Sequence, residues 1–236
     1  HNADFKPGDL VVDPMCGSGT TINNVGAGSI TLAHSAYTWN GGFTHLGQNL
    51  NLGAGAVTLA ANVVTTIPAN TLTVGGGIDD GALIFGLTKA DAGTLVLNGN
   101  NGYDGVTTVN LGTLTLAGNN SGAGGGVTLN AGLLNINSDN ALGTGRLTLN
   151  GGIIDNTSAG SVTQVGNPAQ TWTNAVNMAF TGTQPLNLGA GAVTLGADAT
   201  VGSFTLTNNS ALSGTSLTVG GDISAVLGGT AGVKTL

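Results

Sequence analysis

A short unit repeats in register through the middle of the chain, and it limits what the chain can fold into. Thr108-Val109-Asn110, Thr128-Leu129-Asn130 and Thr148-Leu149-Asn150 recur at a spacing of 20, each followed at one offset by Gly112, Gly132 and Gly152 and then by Leu114, Leu134 and Ile154. Asn100, Asn120 and Asn140 keep the same interval in the intervening turns. Such a unit holds two or three short alternating segments and cannot bury its apolar side alone, so successive units must stack.

If each unit makes one turn of a coil, every strand pairs in parallel with its equivalent one turn away, at about 4.8 Å, and files of Leu, Val and Ile fill the interior. The handedness preference of parallel crossovers makes the coil right-handed. The expected fold is all-β, a right-handed parallel β-helix, or solenoid, with turns of about 20 residues. Composition agrees: Glu is absent, charge is confined to 4 Lys+Arg and 11 Asp+Glu, and Gly numbers 43 in 236 residues. Losing Glu and most Lys and Arg removes residues that favour exposed helix faces, whereas Thr, Val, Asn and Gly favour strands and turns. Gly at fixed offsets suits coil corners, and Asn suits either corners or amide ladders between turns.

A longer echo flanks the central array. Residues 50–59 reappear unchanged as 186–195, residues 72–76 reappear as 217–221, and Trp39 and Trp172 precede the two copies at similar distances. Residues 22–236 therefore read as one repeat domain. At about 20 residues a turn it would have ten or eleven turns, a rod on the order of 50 Å long.

Net charge is −7, and the four cations, Lys6, Lys89, Arg146 and Lys234, are far apart in sequence. Such a chain offers no surface on which nucleic acid could shed its counterions. The single Cys16 has no partner for an internal disulfide or a Cys-based zinc site. No apolar run reaches the roughly 18 to 20 residues of a membrane-spanning helix, and no signal peptide opens the chain. The start at His1 and the stop at Leu236 inside a Thr/Gly pattern suggest a piece of something longer.

Gly93-Thr-Leu-Val-Leu-Asn-Gly-Asn100, followed by Tyr103-Asp-Gly-Val-Thr-Thr-Val-Asn-Leu-Gly-Thr-Leu114, resembles the passenger-associated repeat of bacterial autotransporters. With its weaker echoes the resemblance extends over residues 22–236. It implies a secreted, surface-displayed β-helix acting as adhesin or stalk, without catalysis or cofactor. Its partners would be a host-surface or extracellular-matrix protein, a glycan, or another copy of itself. It also implies anchoring in the outer membrane by a C-terminal barrel, which does not lie within these residues.

Residues 1–21 are different in kind. The run from Phe5 through Pro7, Gly8, Asp9, Asp13, Pro14, Gly17 and Gly19 to Thr21 resembles the S-adenosylmethionine-binding turn of amino-type DNA methyltransferases. If that resemblance carried function, Asp13, Gly17 and Gly19 would approach the cofactor and a helix would begin after Thr21. The next residues are Ile22-Asn-Asn-Val-Gly-Ala-Gly-Ser-Ile, with Gly and β-branched residues where a helix should run. A capping or linker strand and an inactive fusion remnant are the other two accounts of this segment.

Some solenoids act on polysaccharides, which needs two carboxylates facing one substrate, roughly 5 to 10 Å apart. Asp79-Asp80 is the one adjacent pair, and in a strand its side chains would point oppositely. Asp139 and Asp155 fall out of step with the 20-residue register and read as turn residues. Arg146 stands alone as a binder of acidic sugars. His34 and His45 read as strand-face or solvated histidines and residues 75–81 as a turn rather than a calcium loop. Tyr37, Trp39, Tyr103 and Trp172 would stack on sugars only if exposed. Residues 196–216 are a candidate contact loop. Ice binding would require outward Thr files over many turns, and Thr108, Thr128 and Thr148 supply three.

Overall fold

The computed structural model describes residues 2–5, 15–16, 18–173, 178–195, 206–208, 217–218 and 223–225. Within them every strand pairing is parallel, and each strand bonds to its equivalent one coil away. One coil shows the path. Phe43–Gly47 lies in an eleven-stranded sheet, Leu50–Asn51 in a nine-stranded sheet, Ala56–Leu59 in a four-stranded sheet, and Val63–Thr66 returns to the first. We call these the long sheet, the second sheet and the third side.

Alternation makes the strands. Thr113–Leu116 reads Thr-Leu-Thr-Leu, and its leucines are buried while its threonines face outward. The inward residues stack into files: Ile30, Leu50, Leu72, Leu95, Leu114, Leu134, Ile154 and Phe180 pair one above another in the second sheet, all buried. Fully burying each such side chain is worth about 1.5–3 kcal/mol. A coil without neighbours would expose the same atoms to water.

Coil length varies along the rod. The long sheet passes from Lys89 to Val109, Leu129 and Leu149 in equal 20-residue steps. Its earlier steps, from Thr20 to Phe43, Thr65 and Lys89, are longer and unequal, and the later ones to Trp172 and Leu195 are also longer but equal to each other. Thr20 to Leu195 therefore makes eight turns, and the step from Val193 to Ile223 is the longest described in the long sheet. The count of ten or eleven turns over 22–236 assumed a uniform 20-residue coil and runs high for that reason.

Glycine marks the corners because side chains there would point along the rod axis. A Cβ on Gly118 would stand 1.8 Å from the carbonyl oxygen of Gly99, one on Gly99 2.0 Å from that of Gly76, and one on Gly76 1.9 Å from that of Gly55. At the corner between the long and second sheets, Gly112, Gly132 and Gly152 take positive φ (72°, 81° and 86°), which other residues adopt only with strain.

The third side changes character along the molecule. A four-stranded sheet covers it from Met15–Cys16 to Ile78–Asp79, and a three-stranded sheet from Val162–Thr163 to Leu217–Thr218. Between them the central coils have no strand there, and side-chain amides bridge the coils beside isolated backbone bonds such as Gly102 N–H to the Ile78 carbonyl (2.8 Å) and Asn120 N–H to the Asn140 carbonyl (3.1 Å). Asn101 Nδ2 and its backbone N–H both donate to Asn120 Oδ1 (2.9 and 3.1 Å), Asn120 Nδ2 donates to the Ala141 carbonyl (2.6 Å), and Ile78 N–H donates to Asn101 Oδ1 (3.0 Å).

The unchanged decapeptide folds the same way twice, on different sides of the rod. In 50–59 and 186–195 the second residue, Asn51 or Asn187, accepts the N–H of Gly53 or Gly189 (2.8 and 2.9 Å), and both glycines have positive φ. The first copy runs from the second sheet to the third side; the later one runs from the third side to the long sheet. The preceding corners match as well. Asn24 and Asn156 are buried, and each donates to the carbonyl four residues on and to the carbonyl just before the decapeptide, Asn49 or Pro185. Trp39 pairs with Leu59 as Trp172 pairs with Leu195. The second module is thus shifted by one face.

At the N-terminus, Asn2–Phe5 pairs with Thr21 to Asn24, and Met15–Cys16 with Thr38 and Trp39. Thr20–Asn24 is a strand of the long sheet, so the helix that a methyltransferase turn requires after Thr21 is replaced by β structure. Thr20, Thr21 and Ile22 are β-branched, and Thr20 and Ile22 turn inward onto the core, which suits a pleated strand.

Candidate functional site

The residues singled out for chemistry are dispersed. Asp13 and Gly17 lie outside the described residues; Gly19 is a turn glycine with positive φ (78°), its N–H donating to the Gly42 carbonyl (3.1 Å). Contrary to a turn over 75–81, Ile78–Asp79 is a strand of the third side, and Asp79 and Asp80 point oppositely. Asp79 is exposed and its Oδ1 accepts the Gly81 N–H (2.6 Å). Asp80 is buried, and its Oδ2 accepts the N–H of Phe85 (2.8 Å) and of Asp104 (3.3 Å), pinning the adjoining loop.

Asp139 and Asp155 serve separate corners. Asp139 Oδ1 accepts the Thr163 N–H (2.8 Å). Asp155 is buried, with Oδ1 accepting the N–H groups of Asn156 and Thr183 (2.8 and 2.9 Å) and Oδ2 the Thr183 hydroxyl (2.5 Å). Arg146 donates from Nη1 to Thr171 Oγ1 (2.9 Å) on the next coil. These groups hold turns together. Among the described residues no three of the His, Cys, Asp and Glu type gather as they would around a metal ion. Of the candidate contact loop at 196–216, the stretch Leu206–Asn208 is a strand of the second sheet, and the rest lies outside the described residues.

His34 stacks edge-on against Tyr37, with ring centroids 5.2 Å apart. His45 is inside the coil, contrary to a solvated placement: it pairs with Ile22 in the long sheet, is fully buried, and neither ring nitrogen has a partner. Burial pushes its pKa below 6.5, partly opposed by the backbone of Ile22 and Gln48. Tyr37, Trp39, Tyr103 and Trp172 are all buried, which withdraws them as sugar platforms. The Tyr103 hydroxyl pairs with that of Thr107, and burial raises its pKa to about 12. One coil on, Ala123 and Val127 take those two places, and after them Gly143 and Leu147, so a smaller residue at the turn accompanies a larger one on the strand.

Lys89 is the other inward ionisable group that pattern alone did not reveal. It lies in the core file of the long sheet between Thr65 and Val109, and its Nζ donates to the carbonyls of Ala90, Asp91 and Leu111 (2.7, 2.7 and 3.3 Å). Desolvation lowers its pKa to about 8, with the Asp91 charge pulling upward.

The extended feature of the surface is a row rather than a cluster. The outward threonines at 108, 128 and 148 belong to a longer file on the long sheet: Thr88, Thr108, Thr128, Thr148, Thr171 and Thr194 pair in succession. Beside it runs a second file, Thr21, Thr44 and Thr66 over the first coils and Asn110, Asn130 and Asn150 over the central ones. Asn130 donates to Asn110 (2.8 Å) and Asn150 to Asn130 (2.7 Å). The signal was present as an inward–Thr–inward tripeptide in each coil, hidden where the spacing widens beyond 20.

The architecture is that of a stacked parallel β-solenoid whose polar groups, within the described residues, chiefly tie one coil to the next. Against that background the family comparison is specific: residues 87–114 and 110–136 match the passenger-associated-transport-repeat model. No curated protein and no solved structure matches the chain. The two matched segments are the coils where the spacing is 20 and the third side has no strand. Each residue type of the matched stretch has a place there: Gly93 and Gly112 at corners, Leu95, Leu97, Val109 and Leu114 in the core, and Tyr103 bonded to Thr107.

Proposed function

We propose that the chain is a non-catalytic passenger segment of a bacterial autotransporter, a β-helical stalk displayed on the cell surface for adhesion. The observation that carries this reading is the coincidence of the passenger-associated-transport-repeat match at 87–136 with the coils stacked in strict 20-residue register. A solenoid builds length from little information, because each coil needs only its neighbours. In this reading residues 22–236 form the rod, residues 1–21 add a capping strand, and a barrel beyond the chain anchors the protein in the outer membrane. Partners are a host-surface or matrix protein, a glycan, or a second passenger.

Antibody raised against the chain tests the reading on intact bacteria that express the full-length protein. Labelling of unpermeabilised cells that disappears after brief external protease treatment is the expected result. Labelling only after lysis overturns it. Release of reducing ends from polysaccharides by the purified chain would replace the stalk with an enzyme.

A further inference from the structure

Among the described residues, the long sheet alone keeps a regular, uncharged array of outward side chains. From Thr20 to Leu195 its strands contain no carboxylate, and its two bases, His45 and Lys89, point inward and are buried. The second sheet starts in the same way and then departs. Thr71, Thr94 and Thr113 give way to Leu133 and Ile153, while Thr73 is followed by Val96, Thr115, Asn135 and Asp155. The third side carries Asp79, Asp104 and Asp139. Strand propensity favours Thr on every outward face alike, so it does not account for a file of six held on one face.

Thr88, Thr108, Thr128 and Thr148 follow one another at the coil spacing of about 4.8 Å, and Asn110, Asn130 and Asn150 stand two residues further along their coils, about 6.6 Å away. The hydroxyls of those four threonines make no hydrogen bond to protein, while that of Thr171 accepts from Arg146. A Thr side chain presents one methyl and one hydroxyl, and its branched Cβ restricts the rotamers it can take. Backbone ladders on both sides fix its height. The face is therefore ordered before any ligand arrives, and little further ordering cost opposes binding.

A ligand for this face must be uncharged, must donate and accept hydrogen bonds, must leave room for methyl groups and must itself repeat in two directions. Sugar rings lack a platform, since Tyr37, Trp39, Tyr103 and Trp172 are all buried. Crystalline water meets all four conditions. Each molecule donates and accepts, hexagonal ice repeats within about a tenth of both distances on the face, and water at such a surface can cage the methyls while bonding to the hydroxyls. We propose that the outward Thr and Asn files of the long sheet are an ice-binding surface. The paired strands supply the many turns that Thr108, Thr128 and Thr148 alone do not, adding Thr88, Thr171 and Thr194 to the file. Each contact is weak, and adsorption becomes effective because many act together on one rigid body. This function stands apart from the surface-display reading and does not need it.

Ice growth in the presence of the purified chain, from micromolar to about millimolar concentration, tests it. Three readouts apply: grain size during recrystallisation in a frozen sucrose film, crystal shape in a nanolitre osmometer, and uptake of dye-labelled chain into a slowly growing ice hemisphere. The expected result is small grains, faceted crystals and uptake into the ice. Thr108→Tyr, Thr128→Tyr and Thr148→Tyr together should raise the concentration needed at least about tenfold, because a bulky ring holds its neighbours off the lattice. The control, Thr73→Tyr, Thr94→Tyr and Thr113→Tyr on the second sheet, behaves as the unaltered chain. If the long-sheet triple variant loses its β-type circular dichroism, Thr128→Tyr alone takes its place. Ice that grows as it does beside an inert acidic protein overturns the proposal, and so does equal loss from both sets. Binding of neutral glycan beads through the same threonines, with no effect on ice, overturns it as well. Ice growth is measured without cells, so its failure leaves the display reading standing, and failure of surface labelling leaves the ice-binding face standing.

Discussion

The central coils and those that flank them solve the same problem by different means. In the flanks, a third sheet closes each coil with backbone hydrogen bonds, as where Ala56–Leu59 lies between Ala36–Trp39 and Ile78–Asp79. In the centre that sheet is missing; only isolated backbone bonds cross there, and Asn101, Asn120, Asn100 with Asn119, and Ser138 with Gly118 add ties through side chains. Backbone ladders form with any residue, so the flanking coils tolerate longer, unequal steps and a changing sequence. A side-chain ladder needs the right residue at the right height in every coil. The region with least regular secondary structure on its third side therefore has the most regular sequence.

That contrast can be broken most severely at the corner. Gly118→Val would force a side chain into the Gly99 carbonyl and is expected to cost more than about 4 kcal/mol, whereas Gly28→Ala, with nothing within 4 Å of the new Cβ, changes stability by less than about 0.5 kcal/mol. Urea denaturation followed by circular dichroism compares them. Next in size is Asn120→Ala, which orphans the Asn101 donors and the Ala141 carbonyl at about 1–3 kcal/mol for each buried group left unpaired. Thr58→Ala, outward on the third sheet, is expected to stay within about 0.5 kcal/mol. A Thr58→Ala loss equal to that of Asn120→Ala would refute the division of labour.

Smaller effects come from the two buried bases of the N-terminal half. His45 has its pKa lowered below 6.5, so the folded state prefers the neutral ring; its contribution is intact above pH 6.5 and is lost as the pH falls below that value toward the lowered pKa. His45→Leu should flatten a melting-temperature profile between pH 7 and pH 4.5, and an unchanged slope would show that the ring finds a partner. Lys89 titrates near 8 in the fold against 10.5 when free, so stability should rise as pH climbs from about 8 to 10.5. Lys89→Met should abolish that rise, while leaving the carbonyls of Ala90, Asp91 and Leu111 without their donor.

Much of the rod was legible in the residues. The file through Leu114, Leu134 and Ile154, the glycine corners and the Asn110, Asn130 and Asn150 ladder all follow a 20-residue spacing combined with a two-residue alternation, whereas on the third side Asn120 bonds to Asn101, 19 residues away, and not to Asn100. The outward threonine file was only partly legible. Thr108, Thr128 and Thr148 stood out, but Thr88, Thr171 and Thr194 belong to the file only because the paired strands place them in line, Thr171 and Thr194 at wider steps. His45 and Lys89 were equally hidden: whether a polar residue in a strand faces in or out depends on register, which insertion lengths elsewhere in the coil can reset.

The decapeptide at 50–59 and 186–195 divides what is local from what is not. Its own residues determine a strand, an Asn-capped turn with a positive-φ glycine and a second strand, because those depend on hydrogen bonds and sterics between near neighbours. Which side of the rod the segment occupies was decided only by the tertiary structure, where the lengths of the coils before it add up to a different phase, so one sequence faces the second sheet and third side early on and the third side and long sheet later.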